Sequence, residues 1–519
     1  MKNIYLILIT LFLISCGGGS ENAGLPDITI TTKSSEAKEA YLKALDLYDL
    51  RRQFTVEERK GLLNQAISLD PDFLLAKATL YSFLGTENNN SILKEVYEER
   101  DKVSEMEAKI IEFLYNQRTN FNDEVASYNI SALTEEYPEI WRLWYWAGSV
   151  KSFNPSEIYE AVDDLETALE INPNHFGTKL MLIAKHLQFG LFGFMLPFEE
   201  IDLDYLQTLI DDVELNHSDN SYTHVVVGNY YRNLGKFDEA IESYNKLESF
   251  QEQGIANLYS ANHYRALSNT FKGEFDLAES FFRKNIELGN VSGAYTYLPE
   301  MFLHKGDYDA AISVIDEFED NLIDLEYSAQ RELNSIVQIN RLKTICYLHS
   351  NKKSEALSHI SKTKDAQINS INLRKNRLTE AQYNRSIQFA DFTEETLLIW
   401  HDIMFENFND AQIKLDSYKV SSEKIDVPNN LHNYYVLSGI LELKKGNPQK
   451  SLDLFKMTNK FGGNEQLPLN DDYYTYYKGL ALKNTGDSEA SKLLFSEIAN
   501  KNFFGIQPAL VRNLAKAEL

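Results

Sequence analysis

Apolar residues recur at three- and four-residue spacing over most of the chain, and glycine and proline are scarce. That period places the apolar side chains on one stripe of a helix. The pattern therefore predicts amphipathic α-helices nearly throughout and leaves little room for strands. The start of the chain is different. Lys2 is followed by an almost unbroken apolar run over residues 4–14. Such a run is shorter than the roughly 20 residues a membrane-spanning helix needs and has the form of a signal-peptide core. No later apolar stretch reaches spanning length.

The helical pattern is punctuated at regular intervals. The clearest unit starts at Tyr222 and carries Gly228, Tyr231, Gly235, Ala240 and Tyr244. Gly228 and Ala240 are small where two antiparallel helices would come closest, because added atoms would push the axes beyond the ~8 to 10 Å of packed helices. Gly235 follows Leu234, where a helix end calls for a left-handed residue. Tyr231 and Tyr244 can fill the groove towards the next unit. The same offsets return as Gly273, Phe275, Ala278 and Phe282, and as Gly306, Tyr308, Ala311 and Ile315. Gly439, Gly446 and Phe455 return together 40 residues later as Gly479, Gly486 and Phe495. A small or apolar residue five before a helix-ending proline marks further units at Ala66 with Pro71, Ala168 with Pro173 and Leu133 with Pro138, and weaker ones centre on Ala356 and Ala411.

This spacing resembles the tetratricopeptide repeat, whose period is about 34 residues; the turn glycines Gly235, Gly273 and Gly306 are 38 and 33 apart. The resemblance implies an all-α fold, a right-handed α-solenoid of tetratricopeptide-like helix-turn-helix repeats, with about ten units from Ser35 onwards. The expected organisation is a signal peptide over 1–15, a flexible tether over 16–34, N-terminal repeats over 35–189, an irregular connection over 190–220, central repeats over 221–330, divergent helical repeats over 331–430 and C-terminal repeats over 431–519. Residues 190–197 interrupt the period. Residues 365–388 are polar and match it poorly, so their helices are expected to be irregular or extended.

Leu13-Ile14-Ser15-Cys16 resembles a lipobox, followed by the flexible Gly17-Gly18-Gly19-Ser20. The resemblance to tetratricopeptide-repeat lipoproteins of Gram-negative (Bacteroidota-like) bacteria implies lipidation of Cys16. With Gly17 and not Asp after the cysteine, it also implies an outer-membrane location on either the periplasmic or the surface face. Cys346 would then have no intramolecular partner and is expected to be a buried apolar residue.

With 51 basic against 77 acidic residues, the net charge of −26 argues against a nucleic-acid or anionic-lipid surface. The histidines are scattered, with no His-Glu-x-x-His, paired-cysteine, nucleophile-elbow or phosphate-loop motif. No metal, cofactor or enzymatic activity is therefore expected. His217 and His224 are read as structural.

In the family that the repeats resemble, the first helix of each pair lines a concave inner face where partner peptides lie. That alignment places Tyr222, Asn229, Arg232, Asn233, His263, Trp146, Tyr473, Tyr476 and Lys483 on it as candidate partner-binding residues. Arg232 is the lone cation at these positions in the central units, with Glu300 at a comparable place, so no carboxylate clamp is expected there. The reading is a lipid-anchored protein-binding scaffold. An alternative is a SusD-like nutrient (glycan)-binding lipoprotein, although the few Trp and Pro residues do not suit the long insertions of that class. The lipid reading predicts that Cys16→Ser yields a folded chain no longer held by membranes in high salt. Continued sedimentation of the variant with membranes would contradict it.

Overall fold

The computed structural model describes residues 24–49, 56–83, 89–119, 123–187, 196, 201–424, 430–458, 471–502 and 504–519. The signal-peptide core, Cys16 with its glycines, and most of 190–197 lie outside these. Among the described residues there is no strand, and no helix is long and apolar enough to cross a membrane. The chain divides into two compact units, residues 1–222 and 223–519.

The first unit holds α1 (Ser35–Asp49), α2 (Val56–Leu69), α3 (Leu74–Phe83), α4 (Asn89–Glu98), α5 (Glu105–Thr119), α6 (Asp123–Glu136), α7 (Trp141–Lys151), α8 (Ile158–Ile171), α9 (Phe176–His186) and α10 (Leu203–Asn216). Helix α11 (Ser221–Asn233) opens the second, followed by α12 (Phe237–Asn245), α13 (Ile255–Lys272), α14 (Phe275–Glu287), α15 (Val291–Lys305), α16 (Tyr308–Asn321), α17 (Ala329–His349) and α18 (Lys353–Leu373). It continues through α19 (Glu380–Met404), α20 (Phe408–Lys424), α21 (Asn430–Lys444), α22 (Pro448–Phe455), α23 (Asp471–Thr485), α24 (Ser488–Asn500) and α25 (Ile506–Glu518). Within each unit consecutive helices pack on one another, which makes the fold an all-α solenoid.

One local device sets the pairing in the second unit. Gly235, Gly273, Gly306, Gly446 and Gly486 all adopt the left-handed conformation, with φ between 74° and 92°. Asn351 and Glu406 do the same at φ 60° and 59°, in the two units whose turns lack glycine. After each of these seven, the next residue's N–H donates to the carbonyl five residues back, from Lys236 to Tyr231 at 2.9 Å through to Asp487 to Leu482 at 3.0 Å. This bond ends the first helix of each pair by satisfying a carbonyl left over at its end. Five residues after each turn stands a small buried residue: Ala240, Ala278, Ala311, Ala356, Ala411, Ser451 and Ser491. The faint units at Ala356 and Ala411 thus share the geometry of the clear ones.

The close approach is completed by an aromatic residue against a glycine. A Cβ added at Gly228 would lie 2.2 Å from the Tyr244 ring, at Gly439 2.5 Å from Phe455, and at Gly479 2.6 Å from Phe495. In the first unit Gly148 stands against Leu165 in the same way, at 2.6 Å. Cys346 is buried, and burial pushes its thiol up to about 12, so it acts as a small core residue.

The second half of the expected tether is part of the fold. Residues 27–33 run across the beginnings of α7, α5 and α3 before the chain enters α1. Asp27 accepts a two-pronged bond from the buried Arg142 guanidinium, Nε at 2.9 Å and Nη2 at 2.8 Å. Thr31 N–H donates to Glu107 Oε1 at 2.6 Å and Lys33 N–H to Asp70 Oδ2 at 2.8 Å, while Ile28 joins the apolar core. Free main-chain N–H groups meeting buried carboxylates explain why a segment without helical periodicity is nevertheless ordered.

The divergent region over 331–430 is regular but long. Helices α17, α18 and α19 have 21, 21 and 25 residues, against 13 for α14 and 15 for α15. The left-handed turns are correspondingly 45 residues apart from Gly306 to Asn351 and 55 from Asn351 to Glu406, then 40 to Gly446. Because the close approach leaves no space, Ala240→Leu and Gly479→Ala are each expected to destabilise the chain by about 1 to 3 kcal/mol in chemical unfolding. A neutral result at both positions would contradict this packing.

Candidate partner-binding cleft

Helices α17 and α18 are antiparallel, as are α18 and α19, so the extra turns at the start of α17, the end of α18 and the start of α19 stand together at one edge of the solenoid. They enclose a cleft of about 780 Å³. Helix α17 contributes Asn334, Val337, Gln338 and Arg341; α18 and its cap contribute Gln367, Ser370, Ile371 and Arg374; Leu378, Gln382, Arg385, Ser386, Gln388, Phe389 and Phe392 close the third side. The three- and four-residue steps within each set mean that each helix turns a single face to the cleft.

Polar bonds fix the walls. Gln330 Nε2 donates to Ser370 Oγ at 2.6 Å, and Ser370 Oγ donates to Asn334 Oδ1 at 2.9 Å, which ties α17 to α18. A reciprocal cap starts α19: Gln382 N–H donates to Thr379 Oγ1 at 3.2 Å and Thr379 N–H to Gln382 Oε1 at 2.9 Å. Other polar groups are left open. The buried atoms Arg341 Nε and Gln367 Oε1 have no hydrogen-bond partner. A smaller recess of about 220 Å³ shares Asn334, Gln338 and Arg341 with the cleft and reaches Glu300 on α15. There desolvation pushes the Glu300 carboxyl up to about 8, opposed by the Arg341 charge.

The residues expected on an open inner face lie elsewhere, and most are covered. Tyr222, Asn229 and Arg232 are buried; Asn229 Oδ1 accepts from Tyr244 Oη at 3.0 Å, and the Arg232 guanidinium is 5.9 Å from the Tyr264 ring centre. Asn233 Nδ2 donates to the Asn229 carbonyl at 2.9 Å. His263 is wedged among Tyr264, Phe282 and Tyr297, and burial drives its pKa down to about 3. Tyr473 packs edge-on against Trp400, and Tyr476 lies tilted against Phe495. Lys483 is exposed but paired with Glu518 at 2.5 Å. In the first unit Trp146 lies half-buried against the core. His217 and His224 each pack on an aromatic ring of their own unit, Phe176 and Phe250.

Asn229 and Arg232 are covered by Tyr244 and Tyr264 of their own and the next repeat, and the C-terminal segment fills space beside them. Helix α25 returns to pack on α15. Phe504, just before it, sits among Phe271, Phe282, Tyr297 and His304, with the His304 ring centre 5.0 Å away. Asn502 Nδ2 reaches the Asn233 carbonyl at 3.5 Å, and Arg512 lies 5.0 Å from the Phe271 ring centre. The expectation that Tyr222, Asn229 and Arg232 are displayed to a partner is therefore revised. They stand on first helices of repeats, but their side chains are packed inside the molecule.

Among the described residues, no cluster of histidine, cysteine or acidic side chains could hold a metal ion. Glu300 gives a pH test of the recess. Its folded pKa is raised above that of the unfolded chain, so its contribution to stability is present below about 4.5 and is lost as pH rises towards about 8. Relative to the parent chain, Glu300→Gln should gain stability from pH 5 to pH 8, by at most about 1.4 kcal/mol per pH unit in urea unfolding. A difference that stays flat with pH would contradict the assigned environment.

Residues 222–253 match the tetratricopeptide repeat family, so the chain contains that repeat. A search of curated proteins finds no match. Among solved structures, the APC/C hetero-tetramer Cut9-Hcn1 is similar at 15% identity, over 89% of this chain and 76% of that one, with a TM-score of 0.35. Yeast Tom70 is similar at 14% identity over 93% of this chain and 95% of its own, with a TM-score of 0.28. The TPR domain of P58(IPK) is similar at 12% identity over 80% and 99%, with a TM-score of 0.18. None superposes closely enough to carry an inference about this chain.

Proposed function

We propose that the chain is a protein-interaction scaffold whose working surface is the cleft of α17, α18 and α19, and that it takes an extended segment of a partner protein there. The observation that carries this reading is the coincidence of three features in one place. The helices depart from the repeat length, a roomy cleft opens between them, and amide and guanidinium groups line it, of which the buried atoms Arg341 Nε and Gln367 Oε1 have no internal partner. Amides offer both a donor and an acceptor and so suit the main chain of an extended peptide. The repeat match at residues 222–253 supports an interaction role in general terms. The lipobox-like Leu13-Ile14-Ser15-Cys16 supports anchoring of this scaffold to a membrane by a lipid on Cys16, with the outer membrane as the proposed location.

Photo-crosslinking in intact cells tests the working surface. A crosslinking side chain placed at Gln382 or Gln388 should trap a discrete partner, and the trapping should fall at least tenfold when Gln338 and Gln367 are both changed to Leu. The same probe at Glu239 or Glu242, on an exposed helix face, should trap little. Strong trapping at Glu239 and Glu242 with none at the cleft would overturn the reading.

A further inference from the structure

We infer that the segment held in this cleft is acidic: a stretch of polypeptide rich in Asp or Glu, whose carboxylates are taken by Arg341, Arg374 and Arg385. This rests on the cleft being the working surface and names the chemistry of what binds there.

The charge distribution points this way. The chain has 77 acidic and 51 basic residues, yet the lining of the cleft holds three arginines and, among its described residues, no aspartate or glutamate. Elsewhere cations are matched: Lys343 pairs with Asp316 and Glu319, Lys364 with Asp391 and Glu394, and Arg265 with Glu248. None of the three cleft arginines forms an ion pair of this kind among the described residues, although Arg341 feels the Glu300 carboxyl across the adjoining recess. Arg341 makes a long contact, 3.4 Å, to Gln338 Oε1, and its buried Nε has no partner. Arg374 Nε reaches the Ser370 carbonyl one turn back at 3.4 Å, and Arg385, exposed on the third side, makes no hydrogen bond or ion pair among the described residues. Three guanidinium groups around one cleft offer separate cationic points that a multivalent anion can meet together.

The remaining lining decides between a simple anion and a peptide. A small ion would need converging donors at one point, whereas here the arginines come from three different helices. Between them lie the amides of Asn334, Gln338 and Gln367, of which Gln367 Oε1 is a buried acceptor without a donor. An acceptor of this kind repels an anion but receives a main-chain N–H. Val337, Ile371 and Phe389 give apolar contact to the aliphatic parts of Glu side chains. The planar guanidinium fork matches a carboxylate with two parallel bonds.

Fluorescence anisotropy on the full folded chain provides the test, with labelled hexaglutamate and hexaglutamine as probes. Hexaglutamate should bind at least tenfold more tightly than hexaglutamine, and raising salt from 0.05 to 0.5 M should weaken it. The combined variant Arg341→Gln, Arg374→Gln, Arg385→Gln should lose at least tenfold in affinity. A control removing the same charge elsewhere, Lys236→Gln, Lys450→Gln, Lys492→Gln, should lose less than twofold. Arg385→Glu alone, at an exposed side chain without a partner, keeps the test valid if the combined variant unfolds, and it too should lose at least tenfold. If hexaglutamine binds as well as hexaglutamate and the arginine variants lose neither, the acidic preference is wrong while the cleft can still hold a peptide. If hexaglutamate binding falls equally in the lysine control, or neither peptide binds, the inference is overturned.

Discussion

The structure depends on how closely two helices of a pair can approach after a left-handed turn. The left-handed turn residue lets the N–H of the next residue donate to the carbonyl five residues before it, which ends the first helix and fixes where the second begins. Five residues later a side chain no larger than alanine or serine lies against the first helix, and in several pairs an aromatic ring covers a glycine opposite. The spacing of these contacts sets the register of every buried residue that follows. Stacking then buries a continuous core from units that could not bury their apolar faces alone.

That dependence explains which parts were legible in the sequence. Glycine takes the left-handed turn at no steric cost and only a small side chain fits the close approach, so Gly235 with Ala240 and Gly273 with Ala278 stand out. Asn351 and Glu406 hold the same turn without glycine, and only the buried Ala356 and Ala411 five residues on reveal it. The order of residues 27–33 was hidden because it comes from main-chain N–H groups and distant carboxylates, Asp70 and Glu107, with no local period. The covering of Tyr222, Asn229 and Arg232 was equally hidden. So was the return of α25 and Phe504 onto α15 and α13 from more than 200 positions away, which no repeat pattern encodes.

The cleft was visible in part, as a poor match over 365–388. Polar residues there disrupt the repeat pattern while keeping helical spacing, because the extra turns project past the neighbouring helices and have no apolar surface to cover. Gln367, Arg374, Gln382 and Arg385 look like an ordinary solvated face until the three long helices are seen side by side. In the proposed reading, recognition uses the part of the solenoid where the repeat length is exceeded. Length, and not a motif, was the signal: turns 45 and 55 residues apart in a chain otherwise near 33 to 40.

Hydroxyl-radical footprinting of the native chain, read residue by residue, addresses this contrast between a filled inner face and an open cleft. Phe389, 43% exposed at the cleft, should be oxidised quickly, while Trp400, Tyr473, Tyr222 and Phe504 should stay protected until the protein is unfolded. Rapid oxidation of Trp400, Tyr473 and Phe504 in the native chain, with Phe389 protected, would contradict the account.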